Sequence, residues 1–268
     1  MKATAGWRRY ARLLRVQWRM SLLLSMQYRA DFIVEGVISL FVTATALVPL
    51  FVVFGDRAAI AGWSFGEALI VTGFFTLLGG VLEGAINPSL EIVVEHIRKG
   101  TLDLVLVKPA DAQFLVSTAK FQPWKVMDLP VSFAIFAYAF HRLGRTPALV
   151  DVAGALLMLV AATLVLYSLW ILVVSAAFWV VRLDNLAYLF MSIFDFARWP
   201  VSIFKGTLRL FFTAVIPLAL MTTYPALVLL GKLAPSVGLA VVGGAITFAV
   251  LARLVWVRAV GRYTSASS

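Results

Sequence analysis

The chain alternates long apolar runs with short polar breaks, and the runs have the length a membrane asks of a helix. About 20 apolar residues cover the ~30 Å hydrocarbon core of a bilayer. Runs from about Asp31 to Phe54, Glu67 to Ile86, Val152 to Val180 and Pro235 to Val257 meet that length, and the third is long enough to tilt or protrude. A shorter run, about Trp124 to Phe140, follows an approach helix interrupted by Pro123. Another starts near Leu186 and carries DFARWP, Asp195 to Pro200, in or near its middle. Long uninterrupted runs predict spanning helices, because a membrane barrel would show ten-residue segments of alternating polarity instead.

The segments between these runs have their own signatures. In WRRYARLLRVQWRM, Arg8, Arg12, Arg15 and Arg19 fall on one helical stripe, with Trp7, Tyr10, Ala11, Leu14 and Trp18 about a quarter-turn away. Residues 1–30 therefore read as an amphipathic entry helix lying at the lipid surface, arginines toward anionic headgroups. The second run is rich in glycine (Gly73, Gly79, Gly80, Gly84), which favours close helix packing, and Asn87-Pro88 is expected to end or kink it. Residues 206–231, GTLRLFFTAVIPLALMTTYPALVLLG, are apolar but broken by Pro217 and Pro225 into pieces of about ten residues. Such pieces suit a re-entrant hairpin that enters and leaves one side of the bilayer.

Composition supports this reading. The chain is 62% hydrophobic and 13% charged, with a mean hydropathy of +0.96, far from the roughly 25% charge of a soluble domain. The formal net charge of +10 is not read as a nucleic-acid surface, because the basic residues sit in flanks and loops, where they set topology. The first 30 residues carry seven basic residues and no acid, too long and too broken for a signal peptide, and Arg253, Arg258 and Arg262 follow the last run without an acid. Both termini are thus expected in the cytoplasm, which requires an even number of spans, and six is the count that fits. The two arginines of HRLGRTPALVD then fall outside, against the usual bias. The whole chain, 1–268, reads as a single all-α transmembrane domain.

Chemistry is sparse. There is no cysteine, and His96 and His141 lie in different loops, so a metal site is not expected. No phosphate-binding G-x-x-x-x-G-K-[ST] loop and no hydrolase elbow occurs, so the chain is not expected to be an enzyme or to bind a cofactor itself. Charges within spans are the candidates that remain. Asp31, Glu35, Asp128 and Asp184 fall near span ends, where snorkelling and ion pairing suffice. Glu83 and Asp195 lie deeper, and Asp195 and Arg198, three apart, are expected to neutralise each other on one helix face.

The remaining polar stretch, EHIRKGTLDLVLVKPAD at 95–111, lies in a loop spanning about 88–112. The order of parts resembles the permeases of ABC type-2 exporters: a basic entry helix, two spans, a structured loop, three spans, a Pro-broken hairpin and a last span. More narrowly, IRKGTLDLVLVKPAD, the Asp184-Asn185 pair, DFARWP and IPLAL…YPALVLLG look like one bacterial subfamily with an R-x-G-x-L-D-x-x-L-x-x-P segment. Arg98, Gly100, Leu102, Asp103, Leu106 and Pro109 match that segment.

The resemblance implies that this loop holds a coupling helix from Glu91 to Lys99, including Glu95 and Arg98, stopped by Gly100, with Thr101 to Asp111 leading back to the membrane. It also implies two copies of an ATPase subunit carrying ATP and magnesium, a second permease, identical or sibling, and surrounding lipid of a bacterial inner membrane. The hairpin at Pro217 and Pro225 would gate the outer side. Two other readings stand beside it: a non-transporting anchor or signalling component of an ATPase complex, and an ion-coupled secondary carrier, for which neither an internal repeat nor a chain of intramembrane acids is evident.

Overall fold

The structure is a computed structural model, and it describes residues 2–27, 29–55, 57–179 and 184–263. The predicted end of the fourth run at Val180 lies outside these residues, as do the side chains of Asp31, Asp184 and Asn185. The described chain is helical, with one small hairpin. Helix α1 (Lys2–Gln27) is followed by α2 (Arg29–Phe54), then strands β1 (Ala59–Ile60) and β2 (Trp63–Ser64). Helix α3 (Phe65–Val81) runs through a π-helical turn (Leu82–Ile86) into α4 (Asn87–Arg98). Two short helices, α5 (Asp103–Leu106) and α6 (Ala112–Ser117), precede α7 (Asp128–Leu143) and α8 (Leu149–Ser175). The remainder is α9 (Asp184–Phe194), α10 (Gly206–Leu210), α11 (Tyr224–Leu229) and α12 (Pro235–Val260).

Among the described residues four helices are long and apolar enough to cross a membrane: Phe32–Phe54, Phe65–Arg98, Leu149–Phe178 and Pro235–Val260. Helix α7, at 16 residues, and α9, at 11, fall short of that length. The third run begins as a 3₁₀ turn, Pro123–Met127, and becomes α-helical only at Asp128. DFARWP is not part of a continuous α-helix: α9 ends at Phe194, and Asp195–Arg198 form a separate 3₁₀ turn.

The prolines behave differently from one another, and the reason is local. Pro88 does not end the second run. A proline inside a helix lacks an N–H and crowds the carbonyl four residues earlier, here that of Gly84. The π turn at Leu82–Ile86 lets that carbonyl face outward, where it accepts the Gln122 N–H at 2.8 Å. With Gly84 satisfied, α3 and α4 form one continuous rod to Arg98. Pro225 likewise follows a π turn, Ala219–Thr223, and sits in the first turn of α11 without breaking it. Of these three prolines, Pro217 interrupts the helix, between the π turn Phe211–Val215 and the helical segment that resumes at Leu218.

The loop between the first two runs is more ordered than its composition suggested. Ala61 and Gly62 both have positive φ, 49° and 83°, as a two-residue hairpin turn of type I′ requires. The hairpin feeds α3 through a capping box, in which Ser64 and Glu67 each satisfy the other's backbone N–H.

Two apolar clusters hold the bundle. One, toward the end where α4 meets α5, joins Leu82, Leu90, Val93, Leu166, Trp170, Met221 and Trp256. The other, at the far end, joins Leu69, Phe74, Ile135 and Leu229. Helix α8 is central, lying against α12, α11 and α4, while α3 lies along α7. Close approach of α3 to α7 depends on glycine: a Cβ at Gly73 would lie 2.5 Å from the Phe136 ring, and one at Gly80 2.9 Å from the Asp128 Cβ. By contrast Gly79 has open space beside it.

Candidate functional site

Six charged residues that lie scattered along the sequence meet in one place. A cleft of about 530 Å³ is lined by Glu35, Glu83, Lys125, Asp128, Asp195 and Arg198, with Phe75, Trp124 and Phe194 as aromatic walls. Helix α2 forms one side, the α3 π turn another, and the end of α9 a third. The π turn does more than accommodate Pro88: it carries Glu83 into the cleft, where Glu83 pairs with Lys125.

Lys125 is the hub of this network. Besides Glu83, its ammonium lies 4.0 Å from Asp128 and 3.3 Å from the Ser39 hydroxyl. Ser39 donates in turn to Asp128 at 2.9 Å, so one lysine ties α2, α3 and the start of α7 together. On the opposite wall Arg198 pairs with Asp195 at 2.8 Å and lies 5.2 Å from the centre of the Phe75 ring. Four carboxylic residues line the cleft with two basic ones. Among the described residues no group of three or more His, Cys, Asp and Glu could share a metal ion. The arrangement can hold charge within an apolar bundle.

The sequence singled out Glu83, Asp195 and Arg198, and these do line the cleft. It passed over Lys125, although a lysine three residues before Asp128, beside Pro123, is an i,i+3 pair open to the eye. Pro217 and Pro225 do not line it.

The polar loop forms a second candidate region. Along α4, Leu90 and Val93 are buried in the bundle, and Glu91, Glu95 and Arg98 project outward, spaced four and three apart. Glu91 accepts from the Asn87 amide at 2.8 Å, and Glu95 pairs with Lys99. Gly100 adopts φ 67°, the left-handed conformation that ends a helix, and Asp103 opens α5. Beyond these charges α5 and the residue after it present bare apolar surface: Leu104 is 65% exposed and Val107 79%.

The loop is gripped from two directions. Helix α1 reaches it through the Tyr10 hydroxyl, which accepts the Asp111 N–H at 3.1 Å, through Arg9, which donates to the Pro109 carbonyl, and through an edge-to-face contact of Tyr10 with Phe114. From α12, Arg253 donates to Asp111 at 2.6 Å and to Gln113 at 2.7 Å. Burial would raise the Asp111 carboxyl, but the Arg253 guanidinium and the backbone N–H groups of α6 outweigh it, so the group is held below the ordinary carboxylate range.

At the far end, Lys232 pairs with Glu67, Arg145 donates to the Leu230 carbonyl at 3.0 Å, and the Trp63 indole donates to Ser202 at 2.8 Å. The segment 203–231 therefore begins and finishes beside the start of α3, and its turn at Pro217 lies between.

Comparison with known families places the chain beside a transporter family. The model for the family described as ABC-2 family transporter protein covers residues 40–267, from within α2 past the end of α12. Comparison with curated proteins and with solved structures returns no significant match.

Proposed function

The chain belongs to the ABC-2 transporter family, and from that premise we propose that it is the permease half of an ATP-driven exporter whose ATPase subunit docks on residues 91–111. The family makes it a multi-pass transmembrane subunit of an ABC transporter that works with an ABC ATPase. The finer reading concerns how. The permease itself hydrolyses nothing; ATP and magnesium sit in two copies of the partner ATPase, and a second permease, identical or sibling, completes the pathway.

The observation that carries this reading is the continuous α3–α4 rod. It runs from the far end of the bundle, past the charged cleft, to the exposed edge of the loop. A push on α4 is transmitted along a helix rather than absorbed by a linker, and the first thing it moves is the π turn holding Glu83 against Lys125. Helical π turns mark adjustable points in otherwise rigid helices. In this account six segments cross the membrane: α2, α3–α4, α7, α8, α9 with its following 3₁₀ turns, and α12. Residues 206–231 dip into the outer side and return, with Pro217 at the turn as a gate. Both termini face the cytoplasm of a bacterial inner membrane, and α1 lies on its surface.

The test is co-purification of the chain with the ABC ATPase encoded beside it, wild type against an Arg98→Glu/Asp103→Lys double variant. The proposal expects a wild-type complex with solute-stimulated ATP hydrolysis, both lost in the variant while its thermal midpoint stays near wild type. A variant complex with full activity would reduce 91–111 to a connector.

A further inference from the structure

A pocket of about 370 Å³ opens at the far end of the bundle, apart from the cleft and from the loop. It lies between the β1–β2 turn, the start of α3, and the segment 201–232, and Trp63, Glu67, Ser202, Arg209 and Lys232 line it. We propose that this pocket binds a phosphate-bearing anion, held chiefly by Arg209.

The first argument is a census of what the pocket has left to offer. Glu67 is its only carboxylate, and both its oxygens are engaged: one pairs with Lys232, the other accepts the Ser64 N–H at 3.0 Å. Ser202 accepts from Trp63, which leaves its own hydrogen to donate. Lys232 keeps N–H groups beyond the one that faces Glu67, and the guanidinium of Arg209 carries five. Thr223 accepts the Val201 N–H and so also keeps a hydrogen to donate, while the Thr213 and Tyr224 hydroxyls are the lining side chains that can still accept. Free capacity is thus mostly donor, with a net positive formal charge. A hydroxylated or cationic ligand would find little to accept its hydrogens; an anion would find several donors converging.

The second argument is Arg209 itself. Three other cations at this end have partners: Arg142 lies 5.7 Å from the centre of the Phe65 ring, Arg145 donates to Leu230, and Lys232 pairs with Glu67; Arg57 and Lys205 do not line the pocket. The Arg209 side chain has no ion pair or hydrogen-bond acceptor among the described residues, yet it lines the pocket. Its planar fork matches two oxygens of a phosphate group better than an ammonium does.

The third argument is topological. On the reading above this end faces outward, and the arginines of HRLGRTPALVD already ran against the positive-inside bias there. Arg209, which does line the pocket, adds one more cation that insertion does not call for, and an anionic ligand accounts for it. That the ligand is met on the outer side rests on the proposed topology; the binding itself does not. A volume of this size suits a headgroup or a phosphorylated solute rather than a whole lipid. Both sources share the phosphate chemistry.

The experiment uses the full-length chain in an uncharged maltoside detergent and reads its thermal midpoint, so neither sidedness nor the ATPase enters the result. Probes are dihexanoyl phosphatidylglycerol, inorganic phosphate against chloride at equal ionic strength, and dihexanoylglycerol as a control for the acyl chains. A ligand at ten times its Kd raises the midpoint by roughly 3–6 °C. The expected result is such a rise with phosphatidylglycerol or with phosphate, lost in Arg209→Ala and kept in Lys205→Ala, a cation nearby in sequence that does not line the pocket. A rise with phosphatidylglycerol alone assigns the pocket to a lipid headgroup, and a rise with phosphate alone to a soluble solute. No rise with either probe, an undiminished rise in Arg209→Ala, or an equal loss in Lys205→Ala would overturn the proposal.

Discussion

Leu104 and Val107 are the most informative pair to change, because the bundle does not need them and the docking account does. Both are largely exposed, at 65% and 79%, so truncating them leaves the fold nearly untouched. Full burial of a Leu or Val side chain is worth about 1.5–3 kcal/mol. Scaling that by the exposed share of each, an ATPase groove that covers both would gain about 2–4 kcal/mol from the pair. Leu104→Ala/Val107→Ala keeps part of each side chain, so the expected weakening of the permease–ATPase complex is somewhat smaller, roughly 10- to 300-fold. The assay is equilibrium binding of the purified ATPase subunit to the permease in detergent, with the thermal midpoint of each permease measured alongside. An affinity within about threefold of wild type would refute the reasoning, since 1.4 kcal/mol corresponds to about tenfold. A loss of affinity together with a lowered midpoint would point to the fold instead.

Three further outcomes follow from the geometry. Lys125→Met leaves Glu83 and Asp128 facing each other without their shared cation; breaking such a partly buried network is expected to cost about 3 kcal/mol, and adding Glu83→Gln should recover part of it in thermal unfolding. Gly73→Ala puts a methyl group 2.5 Å from Phe136 and should destabilise by about 1–3 kcal/mol, whereas Gly79→Ala, with open space beside it, should be neutral or slightly stabilising by unfolding in the same detergent. Asp111 is held below the ordinary carboxylate range in the folded chain, so its contribution is fully present above the unfolded value of about 3.9. It is lost as pH falls through the lower folded value; Arg253→Gln should flatten the acid limb of midpoint against pH, and an unchanged limb would remove the bridge from the account.

The sequence made the long elements legible because their signals are long. Four apolar runs and the two faces of α1 are patterns summed over many residues, and they predict helices at the right places. What it misjudged are features decided by one contact elsewhere in the fold. Pro88 reads as an end or a kink, and which of the two is excluded shows only when the Gln122 N–H is placed on the Gly84 carbonyl, 38 residues away in sequence: the helix does not end there. Pro225 reads like Pro217, yet a π turn absorbs one and not the other. The charges of the cleft come from four separate segments, so no local spacing could gather them. Lys125, three residues before Asp128, is the one local clue to the cleft in the sequence. Leu104 and Val107 were missed for the opposite reason. In a chain this apolar, two more apolar residues carry no signal until the structure shows that nothing covers them.

The central claim is that the loop meets an ATPase, and the absence of native cysteine allows it to be tested at single positions. Leu104→Cys is expressed with the neighbouring ATPase in native membranes, and a short thiol-reactive bifunctional reagent is added, with Thr146→Cys, in the α7–α8 loop, as the comparison. The account predicts a cross-linked species of permease plus ATPase from position 104, its yield changed by ATP, and none from position 146. Cross-linking to the ATPase from 146, or none from 104 while the complex still co-purifies, would contradict it.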